Sequence, residues 1–346
     1  RLPIAVAAKN KGYDVHVATA DGSDVSKIKG EGLIHHQIPF NRSGQNLLSD
    51  LMTFITLIKL FRSVRPSLVH LVTIKPVIYG GLAARIVRIK SVVAAISGLG
   101  TVFIDNSFRG YLRRLLVLKL YRLSLKQPRL AVIFQNNDDR DVFLKNNLIQ
   151  KKFCYIVRGS GVKLSDFPFL TEPSSVPIII MASRLLIDKG VVEFVEAAKI
   201  LKQQGVKTIF RLIGDTDPEN KSSVSEKFLK KCQIEGFVEL MGYRDDIAVQ
   251  YARANIVCLP SYREGLPKSL VEAAACGRAV VTTDVPGCRD AIIPNITGLL
   301  SHVKDANNLA KKIIKLIDDP ILRQKMGKSG RKLAESEFAI EHIVKK

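Results

Sequence analysis

The chain has 346 residues, 47% of them apolar and 25% charged, enough for two globular domains of ordinary size with no disordered block. Its formal net charge is +21, and residues 1–170 hold 26 Lys/Arg against 10 Asp/Glu, so most of the excess lies in the first half. Such a surface attracts nucleic acid, anionic lipid or a phosphorylated substrate. No apolar run reaches membrane-span length and no signal peptide is visible. The five Cys form no C-x-x-C pair and the six His show no ligand spacing, which points to free thiols in a reducing cytosol.

The chain opens on a helical pattern over 2–11, ended by Gly12, followed by a strand over 15–18. A doubly wound domain normally opens with a strand and a Gly-rich turn. The expectation is therefore that about 15–20 residues precede this start, on typical strand and loop lengths. In that arrangement the strands at 15–18 and 68–72 would both lack a shared neighbour. Strand and helix signals then alternate: strands over 33–38, 68–72, 92–96, 130–134 and 153–157, with helices over 47–64, 76–89, 111–126 and 138–146. Residues 158–176 interrupt the alternation with Gly, Ser, Asp and Pro. It restarts with strands over 178–181, 208–213, 238–241, 256–259 and 279–282, and the tail is helical. This predicts an α/β chain of two doubly wound, Rossmann-like domains, 1–158 and 177–346, joined by a linker over 159–176.

The most informative stretch is 261–277. A short apolar strand ends at Pro260, a loop carries Glu264, Pro267 suits the first helical position, and Gly277 closes the helix. Glu264 and Glu272 lie eight positions apart, roughly 12 Å if helical throughout, so they cannot share one proton or one metal. They can touch two ends of one elongated ligand, with a phosphate at the helix N-terminus between them. Glu272 stands in an apolar helix, where a carboxylate is costly to bury without donors such as ligand hydroxyls. The bland alternative is that both carboxylates are solvated.

This stretch resembles the nucleotide-sugar signature of family 4 glycosyltransferases, retaining enzymes of the GT-B fold, in which two such domains face a cleft. The resemblance implies that Glu264 contacts the donor sugar and Glu272 the ribose. It also implies that backbone around Gly265, Leu266, Pro267 and Lys268 meets sugar and phosphate. It extends to Arg184 and Lys189, after the first strand of the second domain, which in the family bind the donor diphosphate. An Arg fork and a Lys point charge at a strand's C-terminal end suit that role; the bland reading is a solvated loop with an Arg184–Asp188 pair. Gly242, Tyr243 and Arg244 fall where the family holds the base, with Tyr243 and Arg244 placed to stack on a pyrimidine. In the first domain, Lys75 stands at a strand end as a candidate for an acceptor phosphate. Gly98 and Gly100 allow close backbone approach, and Gly161 matches a linker element of the family. The chain departs from many members in having no His in the loop after residue 96, so no acceptor base is assigned by that route.

Asp215-Thr216-Asp217 and Asp139-Arg140-Asp141 are D-x-D triplets, a motif that elsewhere holds a metal, but both are short and frequent by chance; no metal or other cofactor is expected. The expected function is retaining transfer from a nucleotide sugar, chiefly a UDP-sugar, to a lipid-diphosphate-linked sugar or glycan, as in O-antigen or capsule synthesis. Arg184, Lys189 and Glu264 are the expected catalytic residues. The expected location is the cytoplasm, peripherally on the anionic inner face of the plasma membrane. The basic stretch 109–129 is a candidate contact, although its charges do not gather on one helical face. The rivals are a nucleotide-sugar epimerase on the same fold and a nucleic-acid-binding module. The latter lacks a basic helix with interleaved aromatics.

Overall fold

The computed structural model describes residues 1–22, 24–40, 47–105 and 107–345. Lys346, the last residue of the expected second domain, lies outside them. The chain forms two compact units: Arg1–Val157 together with Val344 and Lys345, and Arg158–Ile343.

The first unit contains α1 (Leu2–Asn10), β1 (His16–Thr19), α2 (Val25–Gly30), β2 (Ile34–Gln37), α3 (Leu47–Val64), β3 (Leu68–Val72) and α4 (Ile74–Val87). It continues through β4 (Ser91–Ile96), α5 (Phe108–Ser124), β5 (Arg129–Phe134), α6 (Asn137–Lys145) and β6 (Cys154–Ile156). Its strands form two parallel sheets, β1-β2 and β3-β4-β5-β6. Among the described residues β1 and β3 share no ladder. Helix α5 starts three residues earlier than its pattern predicts, because Ser107 caps it: its Oγ accepts the Gly110 N–H at 3.0 Å. Helix α4 begins at Ile74, so Pro76 falls in its first turn, where a missing N–H leaves no hydrogen bond unmade. The core of this unit centres on Tyr121, Phe134 and Phe143, packed edge to face at 4.9 and 5.1 Å.

The second unit contains β7 (Ile178–Ala182), α7 (Val191–Gln203), β8 (Ile209–Ile213), α8 (Glu226–Ile234), β9 (Glu239–Leu240), α9 (Ile247–Ala252) and β10 (Ile256–Leu259). Then follow α10 (Lys268–Ala275), β11 (Ala279–Thr283), β12 (Gly298–Ser301), α11 (Ala306–Asp318), α12 (Pro320–Leu333) and α13 (Ile340–Lys345), whose end joins the first unit. One six-stranded parallel sheet runs β12-β11-β10-β7-β8-β9. The central strands Ile-Ile-Ile-Met-Ala and Ile-Val-Cys-Leu are apolar throughout because both sheet faces are covered. The chain builds outward from β7 to β9, then returns to β10 and builds the other way. The order therefore reverses between β7 and β10, the position where open α/β sheets bind ligands at their C-terminal edge.

The stretch 159–176 folds onto this second unit and is not an extended linker. Val162 bridges Ala339, and Val162 and Phe167 are buried in the second core. Glu172 takes both arms of the Arg323 guanidinium at 3.0 Å, a buried pair that fastens the stretch to α12. Of the five cysteines, all free, Cys232, Cys258, Cys276 and Cys288 are buried in this unit.

Candidate active site

The residues after β7 and β10 meet at the switch point. Beyond β7, the Ser183 N–H donates to the Ile213 carbonyl at 3.0 Å and the Leu185 N–H to that of Asp215 at 2.9 Å. This stitches the loop to the end of β8 and leaves the Arg184 side chain exposed. Its guanidinium donates to Asp217 Oδ2 at 2.8 Å. The expected alternative partner, Asp188, instead accepts from the Ser222 hydroxyl at 2.7 Å. A short 3-10 turn, Ile187–Lys189, then delivers Lys189. Gly190 follows with φ +79, and a Cβ there would strike the Pro260 carbonyl. Only glycine lets the two loops come this close.

Lys189 and Glu264 form the centre of the site. Lys189 Nζ donates to Glu264 Oε1 at 2.5 Å, with the side chains 20% and 13% exposed. Burial alone would lower the Lys189 pKa; the neighbouring Glu264 carboxylate outweighs it and the net shift is upward. Lys189 is therefore held charged. The Ser261 hydroxyl lies 2.8 Å from the same Glu264 oxygen, and the Glu264 N–H donates to the Pro286 carbonyl at 3.0 Å. The loop is fastened further by Tyr262. Its N–H donates to the Asp188 carbonyl at 2.9 Å, and its hydroxyl donates to Glu193 Oε1, on α7, at 2.6 Å. Lys304 Nζ lies 4.9 Å from the centre of the same ring. Glu193 has no spacing signal in the sequence, because its position follows from the adjacency of β7 and β10, whereas Ser261 and Tyr262 share the loop of Glu264.

Helix α10 starts one residue later than expected. Pro267 is its N-cap, with ψ 121, and not its first helical residue. The N–H groups of Leu270 and Val271 close back on the Pro267 carbonyl. Those of Lys268 and Ser269, in the first turn, have no intrahelical acceptor. Leu266 packs into the core. Glu272 is 6% exposed and meets Lys268 Nζ at 2.9 Å. Burial raises its pKa, and Lys268 only partly opposes the shift. Glu272 is thus a carboxylate buried in an apolar helix wall against one exposed lysine, a costly placement.

Past β9, Gly242 has φ +61 and its carbonyl accepts the Gly214 N–H at 2.8 Å. The Tyr243 N–H donates to Asp215 Oδ1 at 3.1 Å, and its ring is exposed. Arg244 is engaged elsewhere, with both arms on Asp246 at 2.8 Å, and this contact pulls the Asp246 pKa down to about 2. Of the expected stacking pair, Tyr243 presents a bare ring and Arg244 does not. The D-x-D triplet has structural duties: Asp215 holds the Tyr243 N–H and Asp217 holds Arg184.

The acceptor-side candidates divide between the units. In the first, Lys75 sits in the opening turn of α4 and donates to Asp50 Oδ1, on α3, at 2.9 Å. The Tyr79 hydroxyl also bonds Asp50; burial, then that bond, pushes its pKa up to about 12. Gly98 and Gly100 both have positive φ in the loop after β4, and the Leu99 between them is fully buried. Gly161 lies in the second unit, packed against Ile340 and Ile343.

A family model described as Glycosyl transferases group 1 matches residues 163–333, and one described as Glycosyl transferase 4-like matches residues 2–136. The N,N'-diacetylbacillosaminyl-diphospho-undecaprenol alpha-1,3-N-acetylgalactosaminyltransferase of Campylobacter jejuni is 33% identical across 95% of this chain and 88% of its own length. The capsular polysaccharide biosynthesis glycosyltransferase CapM of Staphylococcus aureus is 26% identical across 97% and 88%. Among solved structures, Anabaena Alr3699/HepE in complex with UDP-glucose has a TM-score of 0.78 over 99% of this chain and 92% of that one, at 17% identity, a likeness of fold. With both units matched and one relative 33% identical along nearly its full length, the chain belongs to the group 1, or family 4, glycosyltransferases and has their GT-B fold.

Proposed function

We propose that this glycosyltransferase moves a hexosyl group from a UDP-sugar to a lipid-diphosphate-linked acceptor with retention of configuration, working peripherally at the cytoplasmic face of a membrane. The observation that carries the reading is the Lys189–Glu264 pair at the sheet's switch point, with Glu272 buried in the helix that follows. The donor diphosphate competes with Glu264 for the Lys189 ammonium and with Asp217 for Arg184. The N–H groups opening α10 add positive potential. Freed from Lys189, the Glu264 carboxylate accepts from sugar hydroxyls, while Glu272 accepts from the ribose and Tyr243 faces the base. The bond from the anomeric carbon to the diphosphate breaks as the acceptor oxygen attacks from the same face. The acceptor proton passes to the departing phosphate oxygen. Arg184 and Lys189 stabilise the charge that develops there.

The lipid-diphosphate acceptor is supported by the name of the Campylobacter relative, and UDP as carrier by the UDP-glucose complex of HepE. Both matching family models are of glycosyl transferases, and the epimerase alternative falls away. The test is incubation with a panel of UDP-sugars and a short-chain polyprenyl-diphosphate sugar, with the anomeric configuration of product read by NMR. An α-linked product from an α-linked donor is expected. Inverted product, or epimerised donor in the absence of acceptor, would overturn the reading. Because Arg184, Lys189 and α10 supply the neutralising charge, turnover is expected to persist in EDTA. Loss restored by Mg²⁺ would reassign Asp215 and Asp217 as ligands.

A further inference from the structure

The connections from α4 to β4 and from α5 to β5 lie side by side, because β4 and β5 are parallel neighbours with Ser91 opposite Arg129. A cavity of about 230 Å³ opens between them. Arg85, Arg88, Lys90 and Lys126 line it, and none of its described lining residues is acidic. All four cations are exposed. Arg85 is engaged, donating to the Leu123 carbonyl at 2.8 Å. Among the described residues, the side chains of Arg88, Lys90 and Lys126 make no hydrogen bond or ion pair.

The walls of this cavity are fastened. A Cβ on Gly81 would come within 2.7 Å of the Ser124 carbonyl oxygen, so α4 and α5 meet at backbone distance. The Gln127 amide clamps them, donating to the Gly81 carbonyl at 2.8 Å and to that of Ser124 at 2.6 Å. Arg88 caps α4 with φ 62, a left-handed position ordinarily taken by glycine. Ile89, buried beside it, donates its N–H to the Ala84 carbonyl at 2.9 Å and pins the turn. Cations at a helix C-terminus normally answer the helix dipole, but the magnitudes leave a surplus. Two helix ends present about one negative charge between them, against four positive side chains. About three positive charges stay unbalanced in one hollow, where they repel one another.

We infer that this cavity binds a soluble diphosphate, with the phosphoryl oxygens held by the Arg88 guanidinium and the Lys90 and Lys126 ammonium groups. Pyrophosphate carries a charge that matches the surplus, and the hollow has room for two phosphoryl groups. The convergence of the cations on one hollow selects a compact anion over an extended polymer or a flat bilayer, which would be met by a track or a plane of charge. The site is additional to those already described. It lies before the first residues of β4 and β5, whereas Gly98 and Gly100 lie past the other end of β4, about 20 Å away for six residues at 3.3 Å each. None of its residues belongs to the second unit, which holds the residues assigned to the donor.

The experiment is calorimetric titration of the full chain with pyrophosphate at physiological ionic strength, with UDP in excess to occupy the donor site. One pyrophosphate per chain is expected. Arg88→Asn/Lys126→Ser, in which asparagine tolerates the left-handed cap, should weaken that binding by about 10-fold or more. Lys90→Ser should weaken it in the same direction. Lys59→Ser/Lys119→Ser, which removes two cations elsewhere on the same unit, should leave it within about 2-fold, because screened charges outside the cavity contribute little. Without ligand the cavity variants should melt no lower than the parent, since they relieve like-charge repulsion. Pyrophosphate should raise the parent's melting temperature and leave that of Arg88→Asn/Lys126→Ser unmoved. A parent that binds no pyrophosphate under excess UDP would overturn the proposal, as would a control variant that loses as much affinity as the cavity variants. So would cavity variants that bind pyrophosphate as the parent does but no longer sediment with phosphatidylglycerol vesicles, an outcome that would make the occupant a lipid surface.

Discussion

Glu272 is a carboxylate placed where folding alone would not put one. Its pKa lies above the ordinary glutamate value of 4.5 because burial penalises the charged form. A raised folded-state pKa means that the group favours folding fully only below pH 4.5, and that this contribution is lost as pH rises through the folded value. At neutral pH the ionised Glu272 works against stability, and its exposed partner Lys268 returns little. Glu272→Gln should therefore melt higher than the parent at pH 7, with the gap closing below pH 4.5. The same change removes a charge-assisted acceptor for ribose hydroxyls, about 1.5–3 kcal/mol, so UDP affinity should fall roughly tenfold or more. Melting curves across pH and calorimetric UDP titration measure both effects. A variant that binds UDP as tightly as the parent would remove Glu272 from the site. Lys189 and Arg184 behave differently, because each is paired in the free protein yet assigned to the leaving diphosphate. Lys189→Met and Arg184→Ala should each reduce kcat by about 10² or more, the scale for losing one donor to a developing oxyanion. Steady-state kinetics that place the loss in KM with kcat intact would assign them to donor binding only.

At the scale of elements, the site depends on loops held at backbone contact distance. Gly190 has φ +79 and lies against the Pro260 carbonyl; Gly287 has φ +81 and lies against the Glu264 carbonyl. Gly190→Ala adds an unfavourable left-handed conformation to a backbone clash. It should push Lys189 away from Glu264 and lower both activity and melting temperature, whereas Gly205→Ala, with the same backbone hand but open space around it, should affect stability alone. Comparing the transfer rates of the two variants checks this. The elements themselves were legible in the sequence, because buried parallel strands read as unbroken apolar runs. Arg184, Lys189 and Glu264 could be picked as candidates because each stands in a loop after a strand end, and Glu272 because it stands in an apolar helix. Their partners could not. Asp217 and Pro286 reach the site through strand adjacency, and Asp188 offered a nearer partner for Arg184 that the structure does not use.

On the whole-molecule scale, the two units have separate hydrophobic cores with no residue in common. The second holds the residues assigned to the donor, and its core runs continuously from β7 through α12. The first holds most of the net positive charge, whose self-repulsion in a compact state opposes folding. Two cores of such different character are expected to melt as two transitions, the first unit at the lower temperature and increasingly stabilised by added salt. UDP, whose proposed partners Glu272, Arg184, Lys189 and Tyr243 all lie in the second unit, is expected to stabilise that unit alone. At a hundred times its dissociation constant it contributes about 2.7 kcal/mol. For a unit of this size that is a rise of roughly 5–10 °C in one transition, with the other unmoved. Differential scanning calorimetry of the chain with and without UDP, at low and high salt, measures this. If the salt-sensitive transition is the one that UDP shifts, the donor site has been assigned to the wrong unit.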